Sequence, residues 1–279
     1  MLLAIDLGNT NIVLGVFDGA RLVDTWRLAT MRERTADELA LLVDLLLARG
    51  GSETSGTAGV GTAMGGRAKT GIAKGAIDAI VLASVVPPLT ASIEEMARRS
   101  FGLTALTVEP GVNAGMPILC EHPREVGADR VVNAVAAYEQ WGRQAGRPII
   151  IVDLGTATTL DAVSVAGAYL GGAICPGVQM SADALFQRAA RLPRVAVRKP
   201  ARVIGRTTVD AMESGLFFGY VGMVESLIRR MRDELGGDAL CVATGGLAGA
   251  IAGETRLIDR VEPDLTLQGL RMVWERNQA

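Results

Sequence analysis

Apolar residues fall along the chain in short runs separated by glycine-, proline- or hydroxyl-bearing turns, the pattern of an α/β protein. Residues 2–5 (LLAI) and 12–17 (IVLGVF) flank the segment Asp6-Leu7-Gly8-Asn9-Thr10-Asn11. This predicts a strand, a glycine-containing turn and a second strand. Thr35 followed by Glu38 makes a capping box, and Leu39, Leu42, Val43, Leu46 and Leu47 give an apolar stripe, so 35–49 is expected to be helical. Residues 51–75 hold eight glycines in 25 positions and little large apolar content, which predicts a flexible surface insertion. A strand over 77–86 is expected to stop at Pro87-Pro88, with a helix over 91–100. Further on, the pattern predicts a helix over 126–141 that starts near Gly127-Ala128-Asp129-Arg130. It then predicts strands over 148–152, 162–165 and 168–174, and one long helix or two over 209–235. A strand over 239–243 runs into Thr244-Gly245-Gly246, and a helix over 265–276 closes the chain.

One segment occurs twice. Ile5-Asp6-Leu7-Gly8-Asn9-Thr10 is matched by Val152-Asp153-Leu154-Gly155-Thr156-Ala157, 147 residues later. In each, an apolar strand ends in Asp, then Leu-Gly, then small polar residues and another strand. D-L-G is a common turn, so one copy carries little. Two copies with matching flanks, half a chain apart, point to two similar α/β domains.

Composition narrows the function. The chain has 279 residues, 49% hydrophobic and 21% charged, with 28 Lys+Arg against 30 Asp+Glu. A net charge of −2 argues against a general polyanion binder, so no nucleic-acid partner is expected. The basic run Arg191, Arg194, Arg198, Lys199, Arg202 and Arg206 has no interleaved aromatics and reads as a solvated or contact face. The uncharged stretch 162–182 is too rich in glycine and proline for a membrane helix and reads as hairpins and loops. One histidine, His122, leaves little for a multi-His metal site. The three cysteines Cys120, Cys175 and Cys241 form no CxxC, and the odd count fits a reducing, cytoplasmic setting.

The candidate chemistry lies at the turns. An Asp at the end of a buried strand points a carboxylate beyond the sheet, and Gly8 or Gly155 lets backbone approach a ligand closely. Asn9, Thr10, Asn11, Thr156, Thr158 and Thr159 add neutral donors. Such turns hold phosphate oxygens on backbone N–H groups while the Asp engages a cation. Thr244-Gly245-Gly246 is a third close-approach feature, suited to a nucleotide base or ribose. Residues 61–70 (GTAMGGRAKT) are not a P-loop, because Ala63 and Ala68 stand where glycines are needed. Asp129-Arg130 has two readings: an acid that complements a helix dipole, or a proton acceptor beside an arginine that grips an anionic substrate.

The stretches IDLGNTNIVLGVFDG (5–19), ASVVPPLT (83–90), PREVGADRVVNAVAA (123–137), VDLGTATTLDAVS (152–164), YLGGAICPGVQMSADALFQRAARLP (169–193), VIGRTTVDAMESGLFFGYVG (203–222) and ATGGLA (243–248) together resemble the type III pantothenate kinase family. That resemblance implies two duplicated actin-like ATPase (ribonuclease H-like) α/β domains, 1–117 and 118–279, with a nucleotide cleft between them. It implies transfer of the γ-phosphoryl group of ATP to pantothenate, with Mg2+ and a monovalent cation (K+ or NH4+) as cofactors. By the same resemblance Asp6, Leu7, Gly8, Asn9, Thr10, Asn11, Ile12 and Val13 form the first phosphate loop, with Asp6 near the Mg2+. Thr156 contacts ATP and Asp153 holds the monovalent cation. Gly127, Ala128, Asp129 and Arg130 bind pantothenate, with Asp129 as base and Arg130 on the carboxylate. Thr208 contacts pantothenate, with the active site at or near a homodimer interface. The family usually has a Tyr on the substrate where this chain has Cys120. Two other readings stand beside this one: a non-catalytic paralogue that regulates or binds, and a kinase of another small hydroxy acid.

Overall fold

The computed structural model describes residues 1–49, 71–109, 114–189 and 192–278. The chain divides into two compact α/β units. One comprises Met1–Asn113, Gly127–Asp129 and Thr266–Ala279; the other comprises Ala114–Val126 and Arg130–Leu265. The sequence division at 117/118 assigns the closing helix to the second half, whereas this partition counts it with the first.

The first unit holds β1 (Leu2–Leu7), β2 (Asn11–Asp18), β3 (Arg21–Ala29), α1 (Ala36–Arg49), β4 (Ala79–Ser84), α2 (Pro87–Met96) and β5 (Leu106–Val108). The strands form one sheet in the order β3-β2-β1-β4-β5. The β1–β2 and β2–β3 pairs are antiparallel, and β1–β4 and β4–β5 are parallel. β1 is central, so its apolar run is buried on both faces. Leu39, Val43 and Leu47 of α1 and Leu89 and Ile93 of α2 pack on Leu3, Ile5 and Leu82 of the sheet.

The second unit holds most of α3 (Ala128–Ala137), a one-turn α4 (Arg143–Ala145), β6 (Ile149–Leu154), β7 (Ala157–Val163), β8 (Tyr169–Pro176), α5 (Val178–Arg188), α6 (Thr208–Glu234), β9 (Leu240–Thr244), α7 (Ala248–Ala252) and β10 (Arg260–Val261). Its sheet runs β8-β7-β6-β9-β10, again with two antiparallel and then two parallel pairs. Strand for strand this is the order of the first sheet. The final helix α8 (Leu265–Arg276) packs on β2: Leu267 occupies the space over Gly15, and Arg271 lies 5.8 Å over the Phe17 ring.

Several expectations shift for identifiable reasons. Pro87 and Pro88 open α2 instead of ending the strand, since a first-turn proline forfeits no helical hydrogen bond. β3 was not expected: Arg21, Asp24 and Arg27 break its apolar pattern, and as an edge strand it is mostly half-exposed. The segment 162–182 holds the end of β7, the turn and β8, but its last part is α5, which begins directly after Gly177. β7 begins at Ala157, so Thr158 and Thr159 lie in the strand and not the turn. α6 is a single 27-residue helix, opened by a reciprocal Thr207–Asp210 capping box. The insertion reading for 51–70 lies outside the described residues. Of its remainder, Ile72 N–H donates to Leu47 O (2.8 Å) and Lys74 pairs with Asp44 (2.9 Å), so 71–75 is tied to α1.

The α1 capping box is present as read from sequence: Thr35 N–H donates to Glu38 Oε2 (2.8 Å) and Glu38 N–H to Thr35 Oγ1 (3.3 Å). Thr35→Ala is expected to cost about 0.5–2 kcal/mol of stability, measured by urea unfolding. The Thr35 N–H and hydroxyl hold the Glu38 carboxyl below its ordinary value. A depressed folded pKa stabilises above the unfolded value and is lost as pH falls, so the gap between wild type and variant should narrow below about pH 4.

Candidate active site

Each sheet presents an aspartate at the same place. Asp6 is the fifth residue of β1 and Asp153 the fifth of β6, and both strands show four buried residues, a half-buried Asp, then a buried Leu. Asp6 pairs with Val13 and Ala83, Asp153 with Thr159 and Thr244. In the first turn Gly8 N–H donates to Asn11 O (3.0 Å), and the Thr30 hydroxyl donates to Gly8 O (2.7 Å). Gly8 to Asn11 are open to solvent to differing degrees, whereas the Leu7 and Ile12 side chains are buried in the core. Those two can meet a ligand only through their main chain.

Asp153 sits in a cradle built by glycines. A Cβ on Gly155 would stand 3.3 Å from its Oδ1, and one on Gly245 would stand 2.7 Å from the same atom. Asn133 of α3, itself buried, donates to Oδ2 (3.2 Å). Gly245 has φ +91°, a conformation side chains disfavour, and its Cβ would also meet the Leu154 carbonyl carbon at 2.6 Å. Nearby, the buried Thr158 hydroxyl has no hydrogen-bond partner among the described residues. Burial pushes the Tyr220 phenol well above its ordinary value, with Cys175 and Asp153 adding to the shift.

Asp129 lies in the first turn of α3, half-buried. The next residue, Arg130, is held by Asp161 of β7. Its Nε and Nη2 donate to Asp161 Oδ1 at 2.9 and 2.6 Å. The Tyr169 hydroxyl donates to the same oxygen (2.6 Å) and the Thr159 hydroxyl to Oδ2 (3.3 Å). Asp161 is 1% exposed. Burial drives its carboxyl upward, and the charge and hydrogen bonds of Arg130, then those of Tyr169 and Thr159, pull against it. Burial, then the neighbouring Asp161, pushes the Tyr169 phenol far above its ordinary value.

Cys120 is half-buried beside this group, with Sγ 3.7 Å from where a Gly171 Cβ would stand. Its backbone is anchored by Leu119 N–H to Tyr169 O (2.8 Å) and Tyr169 N–H to Pro117 O (2.8 Å). Thr208 is the exposed first residue of α6. A cavity of about 280 Å3 lies where α7 follows the Thr244-Gly245-Gly246 turn, walled by Phe217, Tyr220, Leu247 and Ile251. Lys199 and Glu254, paired at 2.7 Å, stand at it.

A sequence profile of type III pantothenate kinases matches residues 2–230. The type III pantothenate kinase of Moorella thermoacetica is 51% identical over 277 residues, 99% of this chain and 100% of that one. That of Myxococcus xanthus is 50% identical over 279 residues, 100% of both chains. The chain belongs to the type III pantothenate kinase family. Solved structures agree on the fold alone. A conserved Campylobacter jejuni protein assigned to the Baf family of transcriptional activators aligns with TM-score 0.56 at 16% identity, covering 99% of this chain and 98% of that one. The ethanolamine utilization protein EutJ of Carboxydothermus hydrogenoformans aligns at 0.51 and 13%, covering 97% and 89%. This family member is an α/β protein whose two mixed sheets share the 3-2-1-4-5 order.

Within the second unit the structure gathers Arg130 with Cys120, and Asp153 with the Gly155-Thr156 turn. Asp161, Tyr169 and Asn133 were missed in the sequence. Asp161 stands in TTLDAV, where an Asp among strand residues is the available signal: a buried carboxylate needs a cation, and Arg130 supplies one. Tyr169 and Asn133 gave no signal beyond an aromatic and an amide in apolar runs. Gly245→Ala is expected to destabilise the protein by about 1–3 kcal/mol through its backbone angle. Because the new methyl also crowds Asp153, it should lower ADP production more than the loss of folded protein explains, as read by thermal melting alongside an ADP-release assay.

Proposed function

We propose that this chain transfers the γ-phosphoryl group of ATP to the primary hydroxyl of pantothenate, giving 4'-phosphopantothenate, the first step of coenzyme A biosynthesis. The observation that carries the reading is the recurrence, in a member of this family, of the Asp-Leu-Gly turn at the same register of two matching sheets. The Gly8–Asn11 turn takes phosphate oxygens on its main chain. Thr156 contacts ATP from the second turn, and the cavity beside Gly245 takes the adenine on its apolar walls. Asp129 orients and accepts the proton of the pantothenate hydroxyl, and Arg130 meets the pantothenate carboxylate. Phosphoryl transfer passes through a loose transition state, so positioning and charge neutralisation do most of the catalysis.

The residues suit the cations this chemistry needs. No group of three His, Cys, Asp or Glu able to hold a metal occurs among the described residues. Mg2+ in kinases is commonly held by one or two carboxylates plus substrate phosphates, and Asp6 is suitably placed at the mouth of its turn. Mg2+ supplies neutralisation of phosphate charge. The glycine-lined Asp153 offers a single negative charge in a confined place, which suits K+ or NH4+. Homodimerisation is supported by the exposed Val203 and Ile204 before α6 and by the exposed small residues Ala211, Gly215, Gly219 and Gly222, which share a helix face with Thr208.

ADP release measured with pantothenate against other small alcohols, with and without K+, tests the assignment. Turnover is expected only with pantothenate and is expected to fall without the monovalent cation. Turnover on no alcohol would favour a regulatory paralogue, and preference for a different hydroxy acid would replace the substrate. Asp129→Asn should keep the thermal midpoint and lose about 10²–10⁴-fold in turnover. Near-normal turnover would remove Asp129 as the base.

A further inference from the structure

The buried cluster around Asp161 goes beyond the roles assigned to the substrate residues. Three donors converge on one oxygen: Arg130 Nε at 2.9 Å, Arg130 Nη2 at 2.6 Å and the Tyr169 hydroxyl at 2.6 Å. The Thr159 hydroxyl takes the other oxygen. The Tyr169 ring lies 5.9 Å from the guanidinium carbon, so the aromatic face also restrains the cation. The backbone is shaped around the carboxylate. Gly172 is the cross-strand partner of Asp161, and a Cβ there would stand 2.9 Å from Oδ1 and 2.0 Å from Leu160 O. A β-bulge between Ala162 and Val163 brings Tyr169, rather than its neighbour Leu170, opposite Val163.

An arginine on a helix end has a long, freely rotating side chain, and fixing it on a ligand costs conformational entropy at the moment of binding. Here that ordering is done beforehand. Two N–H groups on one edge of the planar guanidinium are fixed, so its plane and position are set by β7 and β8. We propose that Asp161, seconded by the Tyr169 hydroxyl, is the positioning residue for Arg130, holding the guanidinium ready for the carboxylate of the acceptor substrate. This rests on the reading that Arg130 meets that carboxylate. Asp161 touches no reacting atom. Its influence runs through Arg130, and it governs acceptor binding more than the chemical step.

The test is steady-state kinetics on wild type, Asp161→Asn, Tyr169→Phe, Arg130→Lys and the Asp161→Asn/Arg130→Lys double variant, each checked by thermal melting. Asp161→Asn is expected to raise KM for pantothenate by about 10–100-fold. KM for ATP and kcat should change far less. Tyr169→Phe keeps the ring and removes only the hydroxyl, so it should shift the same constant in the same direction by a smaller factor even if the Asp161 variant folds poorly. The two changes in the double variant should be strongly non-additive, because Asp161 acts through Arg130. A pantothenate KM unchanged or lowered in both folded single variants overturns the proposal. So does an equal rise in KM for ATP, or full additivity in the double variant. If Arg130→Lys itself leaves the pantothenate KM unchanged, the arginine–carboxylate reading fails first, whatever Asp161 does.

Discussion

In both sheets the central strand is buried on both faces, and its fifth residue is an aspartate that is only half-buried. The turns that follow both strands are built on that placement. A carboxylate inside the sheet is desolvated and needs a paired cation, as Asp161 has in Arg130. One placed on a free loop would be solvated and mobile. One residue before the strand ends, with a buried leucine and then a glycine turn following, the strand ladder fixes the main chain while the side chain stays half-exposed. The apolar runs LLAI and IIIV therefore do two things: they form the centre of each core, and they aim Asp6 and Asp153.

The same constraint explains the glycines that matter. Around Asp153, Gly155 and Gly245 come from different parts of the chain, one following β6 and one following β9, and both give up a side chain to the same oxygen. β6 and β9 are adjacent parallel strands, with Asp153 beside Thr244, so the turn after each passes over the carboxylate. A side chain on either turn would crowd the carboxylate. The T-G-G sequence is thus tied to the D-L-G sequence by sheet order, although 90 residues separate Gly155 from Gly245.

How legible this was depended on the kind of interaction. The repeat at 5–10 and 152–157 was visible because strand, Asp and glycine turn are local, and it pointed to two similar α/β domains. The capping box at Thr35 was visible for the same reason, as was helical structure over 209–235, although whether it was one helix or two stayed open. The edge strand β3 was not, because an exposed strand need not alternate cleanly and Arg21, Asp24 and Arg27 hid it. Asp161 was hidden differently. Its importance comes from Arg130, 31 residues away, and from Tyr169 across a bulged hairpin. No spacing rule links an arginine on a helix to an aspartate in a strand. The two were adjacent to recognised features, yet only the sheet register brings them into one cluster.

The scarcity of lysine fits this architecture. Of the three lysines, Lys74 is paired with Asp44, Lys199 with Glu254, and Lys69 lies outside the described residues. A lysine ammonium is a mobile point charge that serves phosphate well but imposes little direction. A guanidinium held at two of its N–H groups imposes direction on a planar carboxylate. The Arg130–Asp161 pair satisfies a buried carboxylate, and on the proposed role of Arg130 it exchanges some raw charge for a fixed guanidinium orientation. The hydroxyls of Tyr169 and Thr159 make that balance workable. They share the carboxylate with Arg130, so its hydrogen-bonding capacity is not met by the arginine alone.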